Sequence, residues 1–407
     1  MAAKRWAFGL RSFKIATAAV FLAALTSCAI QPIAPGAFYQ WDRSLADASG
    51  KILRVEPLAG APEGAQAWRI LYRSAAPDGT PIAVSGTVYA PNDSTGKDPR
   101  PVVAWAHPTT GVATQCAPSL FRNPVERIAG LKAFLDHGFV VAATDYPGLG
   151  TPGPHPYLVG ASEGRSVLDS VRAAANLPEA NAGRAFAVWG HSQGGHAALF
   201  TGQLAKAYAP DLRLVGVAAA APATSLATLL HDDMALKAGK VLTSFSLWSW
   251  NRFYGAPLDA VLIPSAKHAV DRVAAGCIES RLQGIVVGLR ERVLQHGFLK
   301  ADLTTTEPWK SLIAENTPAP DTGGVPLFLA QGSADTIVDP QLTVDYAQAV
   351  CRKGLAVYLD WQEGVTHDLI GAKSADQAAV WLAERFAGTR APDNCAKLPK
   401  LAAGANT

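Results

Sequence analysis

The sequence predicts an α/β fold, with a mostly parallel central sheet, helices on both faces and an inserted helical cap. Three observations point there. Short apolar runs alternate with amphipathic segments after residue 60, a hairpin signal opens the series, and the alternation lapses for roughly a hundred residues before it resumes. With 407 residues, 49% hydrophobic and 17% charged, the chain has ample material for a buried core, which excludes a disordered protein.

Ala67–Arg73 and Pro81–Ala90 flank the turn sequence Ala76-Pro77-Asp78-Gly79 and read as an antiparallel hairpin. Pro101–Ala106 follows as a short buried strand. Asn123-Pro124 opens a helix to His137, with proline at the first helical position and Gly138 at the stop. Phe139–Thr144 is the next buried strand. Glu163–Asn176 places Val167, Leu168, Val171 and Ala175 on one helical face. Arg184–Trp189 is a strand, Gly194–Tyr208 a helix rich in small residues, and Leu212–Ala220 a strand. Consecutive β-α-β units of this kind make a parallel sheet with helices on both faces.

From about Ser225 to Pro320 the chain reads as helical, with Phe245, Trp248, Trp250, Phe253 and Tyr254 close together. These aromatics either line a pocket or pack the core of the cap itself. Strand signals resume at Val325–Ala330 and Leu355–Trp361, and Ala375–Phe386 is the last helix. The expected layout is a leader over 1–27, an N-terminal arm over 28–64, the α/β core over 65–224 and 321–396, a cap over 225–320, and a flexible tail over 397–407.

The leader has a basic stretch before the apolar run Ile15–Leu25, too short to span a bilayer and suited to secretion. Leu25-Thr26-Ser27-Cys28 resembles the lipobox of bacterial lipoproteins, which implies a diacylated Cys28 as mature N-terminus and a membrane contact through that anchor. Ala29 rather than Asp then makes the outer membrane the expected address in a Gram-negative organism, with a periplasmic or secreted product as the alternative. The formal charge of +3 becomes −1 once the leader's four basic residues are removed, so nucleic acid is not expected as a partner. Cys116, Cys277, Cys351 and Cys395 remain, an even number in an oxidising compartment. They allow three pairings, and no CxxC spacing suggests zinc.

Gly190-His191-Ser192-Gln193-Gly194 matches G-x-S-x-G, a pattern expected by chance in about one chain of this length in six. Its context is what counts: a buried strand precedes it and a helix follows, as a nucleophile elbow of the α/β-hydrolase fold requires. Glycines let the backbone reverse, and the helix N-terminus beneath Ser192 favours a developing oxyanion. Serine needs a base, and the base an orienting acid, in the chain order Ser, acid, His. Of the downstream histidines, His196 sits on the elbow helix, and His231, His268 and His296 lie in the cap. Only His367 follows the last sheet strand, in a loop suited to the base. The acid is expected at Asp335, after Val325–Ala330, with Asp339 and Asp368 as competitors. Oxyanion donors are expected from Gln193 and from Thr109 or Thr110, after the first parallel strand. No metal or cofactor is required.

Gly148-x-Gly150-x-x-Gly153 formally matches a dinucleotide fingerprint, but Pro147, Pro152, Pro154 and Pro156 prevent a helix from starting there. His231-Asp232-Asp233 reads as a solvated helix end rather than a metal site.

Taken together, these motifs resemble the secretory lipase family, α/β-hydrolases related to lipase A of Candida-type yeasts. The resemblance runs from about residue 65 to 395. It includes Gly86–Pro91, Asp145–Gly150, Cys116–Ser119, Gly190–Gly195 and the Asp335 and His367 segments. It implies a helical cap over a lipid-binding tunnel, disulfides Cys116–Cys277 and Cys351–Cys395, and a small ester or lipid substrate. The family's first oxyanion loop can carry an acid, where Thr109 and Thr110 stand here. The expected activity is serine carboxylester hydrolysis of the lipase or esterase type. The alternatives are acyl transfer or cell-wall-ester cleavage on the same triad, or a non-catalytic lipoprotein that binds a hydrophobic ligand.

Overall fold

The computed structural model describes residues 35–92, 98–232, 237–279, 294 and 297–401. The expected leader and Cys28 lie outside the described residues, as does the end of the expected tail from 402. The strands are β1 (Ile52–Pro57), β2 (Ala65–Ala75), β3 (Pro81–Pro91), β4 (Arg100–Ala106), β5 (Val140–Thr144), β6 (Ala182–His191), β7 (Arg213–Ala220), β8 (Leu327–Gly332) and β9 (Val357–Gln362). They form one sheet in the order β1-β2-β3-β5-β4-β6-β7-β8-β9. The pairs β1–β2, β2–β3 and β3–β5 are antiparallel, and every pair from β5–β4 to β8–β9 is parallel.

The helices are α1 (Leu131–Asp136), α2 (Gly160–Ala175), α3 (Gln193–Tyr208), α4 (Leu226–Asp232), α5 (Lys237–Tyr254), α6 (Leu258–Val261), α7 (Lys267–Ala274), α8 (Trp309–Glu315), α9 (Pro340–Arg352) and α10 (His367–Phe386). Alternate strand residues feed two cores. Val102, Ala104 and Ala106 face α2, α3 and α9, while Val103 and Trp105 face α1 and α10. Glycines set the close approach of α2 to α3: a Cβ at Gly160 would fall 2.2 Å from the Phe200 ring. The insertion between β7 and β8 builds a third core from residues such as Leu226, Phe245, Trp250, Val270 and Trp309.

Three expectations about elements change. The helix expected over 123–137 breaks into a 3₁₀ turn, Pro124–Arg127, and α1. Gly130, at φ 82°, interrupts it where a Cβ would fall 2.8 Å from that of Ala375. The last helix starts at His367, eight residues before Ala375, so the expected base sits on the first turn of α10 rather than in a loop. Gly371 in that turn weakens the helix signal in the sequence, and packing against His191 restores it. The expected N-terminal arm contains β1, a half-exposed edge strand whose mixed pattern hid it.

Disulfides join Cys116 to Cys277 and Cys351 to Cys395, the pairings the family resemblance implied. The first ties the loop after β4 to the insertion. No helix among the described residues is long and apolar enough to cross a membrane.

Candidate active site

β6 runs buried to His191 and turns sharply into α3, so Ser192 is held at φ 58°, ψ −118°. A non-glycine residue in that region is strained and persists only where its surroundings over-determine it. Here they do. The Ser192 amide donates to the Ala220 carbonyl on β7 at 2.9 Å, and its carbonyl accepts from His196 N at 3.0 Å. The flanking glycines are obligatory: a Cβ at Gly194 would lie 1.9 Å from the Ala106 carbonyl oxygen, and one at Gly190 2.0 Å from that of Gly194.

Ser192, Asp335 and His367 follow the carboxyl ends of β6, β8 and β9, and the 107–111 segment follows β4. Parallel neighbours end on one edge, so segments distant in sequence meet there. His367 Nε2 lies 2.9 Å from Ser192 Oγ, and His367 Nδ1 lies 2.7 Å from Asp335 Oδ2. Asp335 Oδ1 accepts from Ile337 N at 2.8 Å and Val338 N at 2.9 Å, and Oδ2 also accepts from Gln331 Nε2 at 3.1 Å. Burial works to raise the Asp335 carboxyl; the hydrogen bond and charge of His367, with the two amides, outweigh it and hold the group below its ordinary value.

The competitors are placed elsewhere. Asp339 caps α9, accepting from Gln341 N at 2.9 Å, and Asp368 is exposed. His231 and His268 are exposed, and His296 lies outside the described residues. His196 is buried beneath the elbow, with Nδ1 2.7 Å from Glu163 Oε2.

Of the expected oxyanion residues, Gln193 opens α3 and is buried. Thr109 Oγ1 lies 2.9 Å from Tyr157 Oη, and Tyr157 lines the pocket that contains Ser192. Thr110 turns its carbonyl to Ile278 N at 2.8 Å, and its buried hydroxyl has no hydrogen-bond partner among the described residues. Gln193 and Ser246 add polar groups to the lining; the rest of the wall is apolar, with Leu158 from the core, Leu226, Leu229, Leu230 and Leu242 from the insertion, and Val338 beside Asp335. Phe245 and Trp250 are buried where the insertion meets Tyr157: the Phe245 and Tyr157 ring centres lie 6.0 Å apart, Trp250 Nε1 donates to the Tyr157 carbonyl at 2.9 Å, and Trp250 stacks on Trp309 at 6.2 Å.

Sequence reasoning passed over four residues around this site: Glu163, His155, His191 and Asn316. One signal was available. Glu163 stands one helical turn before Val167 and two before Val171, an acid on an otherwise apolar stripe. The described residues hold no group of three metal-ligating side chains, and α2 begins only at Gly160, after the Gly148–Gly153 turns.

The profile of the secretory lipase family matches residues 126–394, most of the chain. The protein belongs to the secretory lipase family. Lipase A of Arthroderma benhamiae is 22% identical to this secretory lipase over 356 residues, 81% of this chain and 73% of the relative. Candida antarctica lipase A in its closed state superposes with a TM-score of 0.74 at 18% identity, over 90% of this chain and 89% of that one. The rice cell wall degrading esterase LipA from Xanthomonas oryzae gives 0.70 at 18% identity, over 84% of this chain and 100% of that one. At that identity the two structures speak for the α/β-hydrolase fold alone. Family membership makes this secretory lipase an exported hydrolase of lipid esters.

Proposed function

We propose that this secretory lipase cleaves carboxylic esters of hydrophobic acyl groups through an acyl-enzyme on Ser192. The observation that carries the proposal is the continuous chain Asp335 Oδ2–His367 Nδ1 at 2.7 Å and His367 Nε2–Ser192 Oγ at 2.9 Å. An ionised Asp335 only accepts, so His367 carries its hydrogen on Nδ1 and turns the Nε2 lone pair to the serine hydroxyl. As Oγ bonds to the ester carbonyl carbon, its proton passes to Nε2. The carbonyl oxygen takes the electron pair, facing the Gln193 amide and the 109–110 segment; each such donor contributes about 10²–10³ in rate. Thr109 is the preferred partner in that segment, because its hydroxyl already joins the pocket wall at Tyr157. The imidazolium then protonates the leaving alcohol, and a water deprotonated by the same nitrogen releases the acid.

The insertion over 225–320 acts as a cap, its leucines from α4 and α5 receiving the acyl chain beside Ser192. Export proceeds through the leader 1–27, with diacylation of Cys28 anchoring the protein, in a diderm bacterium at the outer membrane.

A fluorophosphonate probe tests the chemistry: wild type is labelled, Ser192→Ala is not. Labelling that persists in Ser192→Ala, or fails in both, returns the chain to the class of hydrophobic-ligand binders. A p-nitrophenyl ester series from acetyl to palmitoyl tests the acyl pocket, and hydrolysis confined to acetyl would remove the lipid assignment. Incorporation of radiolabelled palmitate, lost in Cys28→Ala, tests the anchor.

A further inference from the structure

We propose that Glu163, joined to His196 in a pair without net charge, is a positioning residue that fixes both the oxyanion residue Gln193 and the pocket wall at Leu158. The proposal deepens the Ser192 reading and rests on it. Glu163 and His196 are both fully buried, on the facing helices α2 and α3. Glu163 Oε1 accepts from Gln193 Nε2 at 2.7 Å and from Leu158 N at 3.1 Å, and Oε2 lies 2.7 Å from His196 Nδ1.

The hydrogens of the pair can be counted from the surroundings. His196 Nε2 lies 2.8 Å from the Asn316 carbonyl oxygen, which only accepts, so Nε2 carries a hydrogen. One further hydrogen must lie between Nδ1 and Oε2, on the imidazolium or on the acid. In either arrangement the pair carries zero net charge. A bare buried carboxylate hydrogen-bonded to Gln193 would oppose the oxyanion that forms beside that residue. The neutral pair does not, yet Oε1 still accepts.

The Gln193 side chain is held at its second hydrogen as well. Its Nε2 lies 3.2 Å from His155 Nε2, while His155 Nδ1 faces the Pro147 carbonyl at 2.9 Å and is therefore the protonated nitrogen. Burial pushes the His155 pKa down to about 3, so the ring stays neutral and its Nε2 stays an acceptor. Both hydrogens of the Gln193 amide are engaged, and the first residue of α3 cannot rock. At Leu158 the same carboxyl holds the amide of a non-glycine residue at φ 53°, in the pocket wall. Asn316, just past α8, joins the insertion to the cluster: its Oδ1 accepts from Gly160 N at 3.0 Å, and its Nδ2 donates to Tyr254 Oη at 3.0 Å.

The test uses the full-length protein with Glu163→Gln, Glu163→Ala and Gln193→Leu. Each is assayed for kcat and KM on a chromogenic ester and for Kd of an alkyl boronic acid, which forms a tetrahedral adduct on serine. Glu163→Gln can keep every contact, its oxygen accepting from Gln193 and Leu158 and its amide donating to His196 Nδ1. It should stay within about threefold of wild type, whereas Glu163→Ala and Gln193→Leu should each lose about 30-fold in kcat and in boronate affinity, with KM within about twofold in Gln193→Leu and raised about fivefold in Glu163→Ala, where Leu158 is released as well. If Glu163→Ala does not fold, Gln193→Leu decides. Boronate binding as tight as wild type in Gln193→Leu, or a loss in Glu163→Gln equal to that in Glu163→Ala, overturns the proposal. Wild type that fails to take a fluorophosphonate at Ser192 is a different result and removes the underlying reading instead.

Discussion

The imidazole of His191 lies 4.9 Å, ring centre to ring centre, from that of His367, and its Nε2 meets the His367 carbonyl at 3.0 Å. The carbonyl only accepts, so His191 donates. One turn thus orients Ser192, the proposed nucleophile, and, one residue earlier, holds the backbone of His367, the proposed base. Gly371 makes room, since a Cβ there would lie 3.1 Å from His191 Cγ.

Loss of that contact frees the first turn of α10. His191→Ala is expected to lower kcat about tenfold through misplacement of the base, with KM little changed, and His191→Gln, which can still donate, to recover part of the loss. Steady-state kinetics on one ester checks this. Unchanged kcat in His191→Ala would show that α10 needs no such anchor.

Three buried histidines make the fold acid-sensitive. Burial pushes His107 down to about 4, and His155 and His191 down to about 3, against an ordinary 6.5. Below 6.5 the unfolded chain binds protons that the folded chain refuses, so stability is full above 6.5 and declines as the pH falls toward 3–4. Each histidine contributes a slope approaching about 1.4 kcal/mol per pH unit. Asp145 and Asp169, raised by burial, act in the opposite sense, so the check is a difference. Urea midpoints for wild type and His191→Phe should converge as the pH falls from 6.5, the variant having the flatter profile. Parallel profiles would contradict this.

Asp335 and Asp339, two of the carboxylates the sequence offered as the acid, should separate by kind of damage. Asp335→Asn removes the acceptor that keeps the hydrogen on Nδ1 and should lower kcat by about 10⁴. Asp339→Ala removes the cap of α9 and should cost about 1 kcal/mol of stability with kcat retained. Kinetics paired with thermal melts distinguishes them, and the reverse pattern would move the acid to Asp339.

The disulfides should divide in the same way. Cys351–Cys395 spans 44 residues, and its removal by paired serine substitutions should cost about 4 kcal/mol with kcat unchanged. Cys116–Cys277 ties down the loop proposed to supply an oxyanion donor, where Gly111 bridges to Cys277 and Thr110 O accepts from Ile278 N. Its removal should lower kcat about tenfold besides destabilising the chain. Equal kcat in both double variants would detach that loop from catalysis.

Much of the fold was legible because it is written in local signals. The β2–β3 hairpin, the buried strands, the elbow turn and the two helices around it follow from apolar period, turn residues and glycines, each within about a dozen positions. Local signals misled where packing decides. Gly130 divides a helix because α10 crosses there, Gly371 is carried inside a helix because His191 fills the space, and β1 is a strand because β2 offers it an edge.

What the sequence determined by itself is the short-range chemistry: a serine on a tight strand-to-helix turn, an acid after one strand and a histidine after the next. What only the tertiary structure decided is which distant groups meet. The 2.7 and 2.9 Å contacts of His367, the tilted 4.9 Å ring contact of His191 with His367 and the burial of Glu163 against His196 span 30 or more residues of chain. A buried polar atom must find its partner through space, and no periodicity along the chain records which partner that will be.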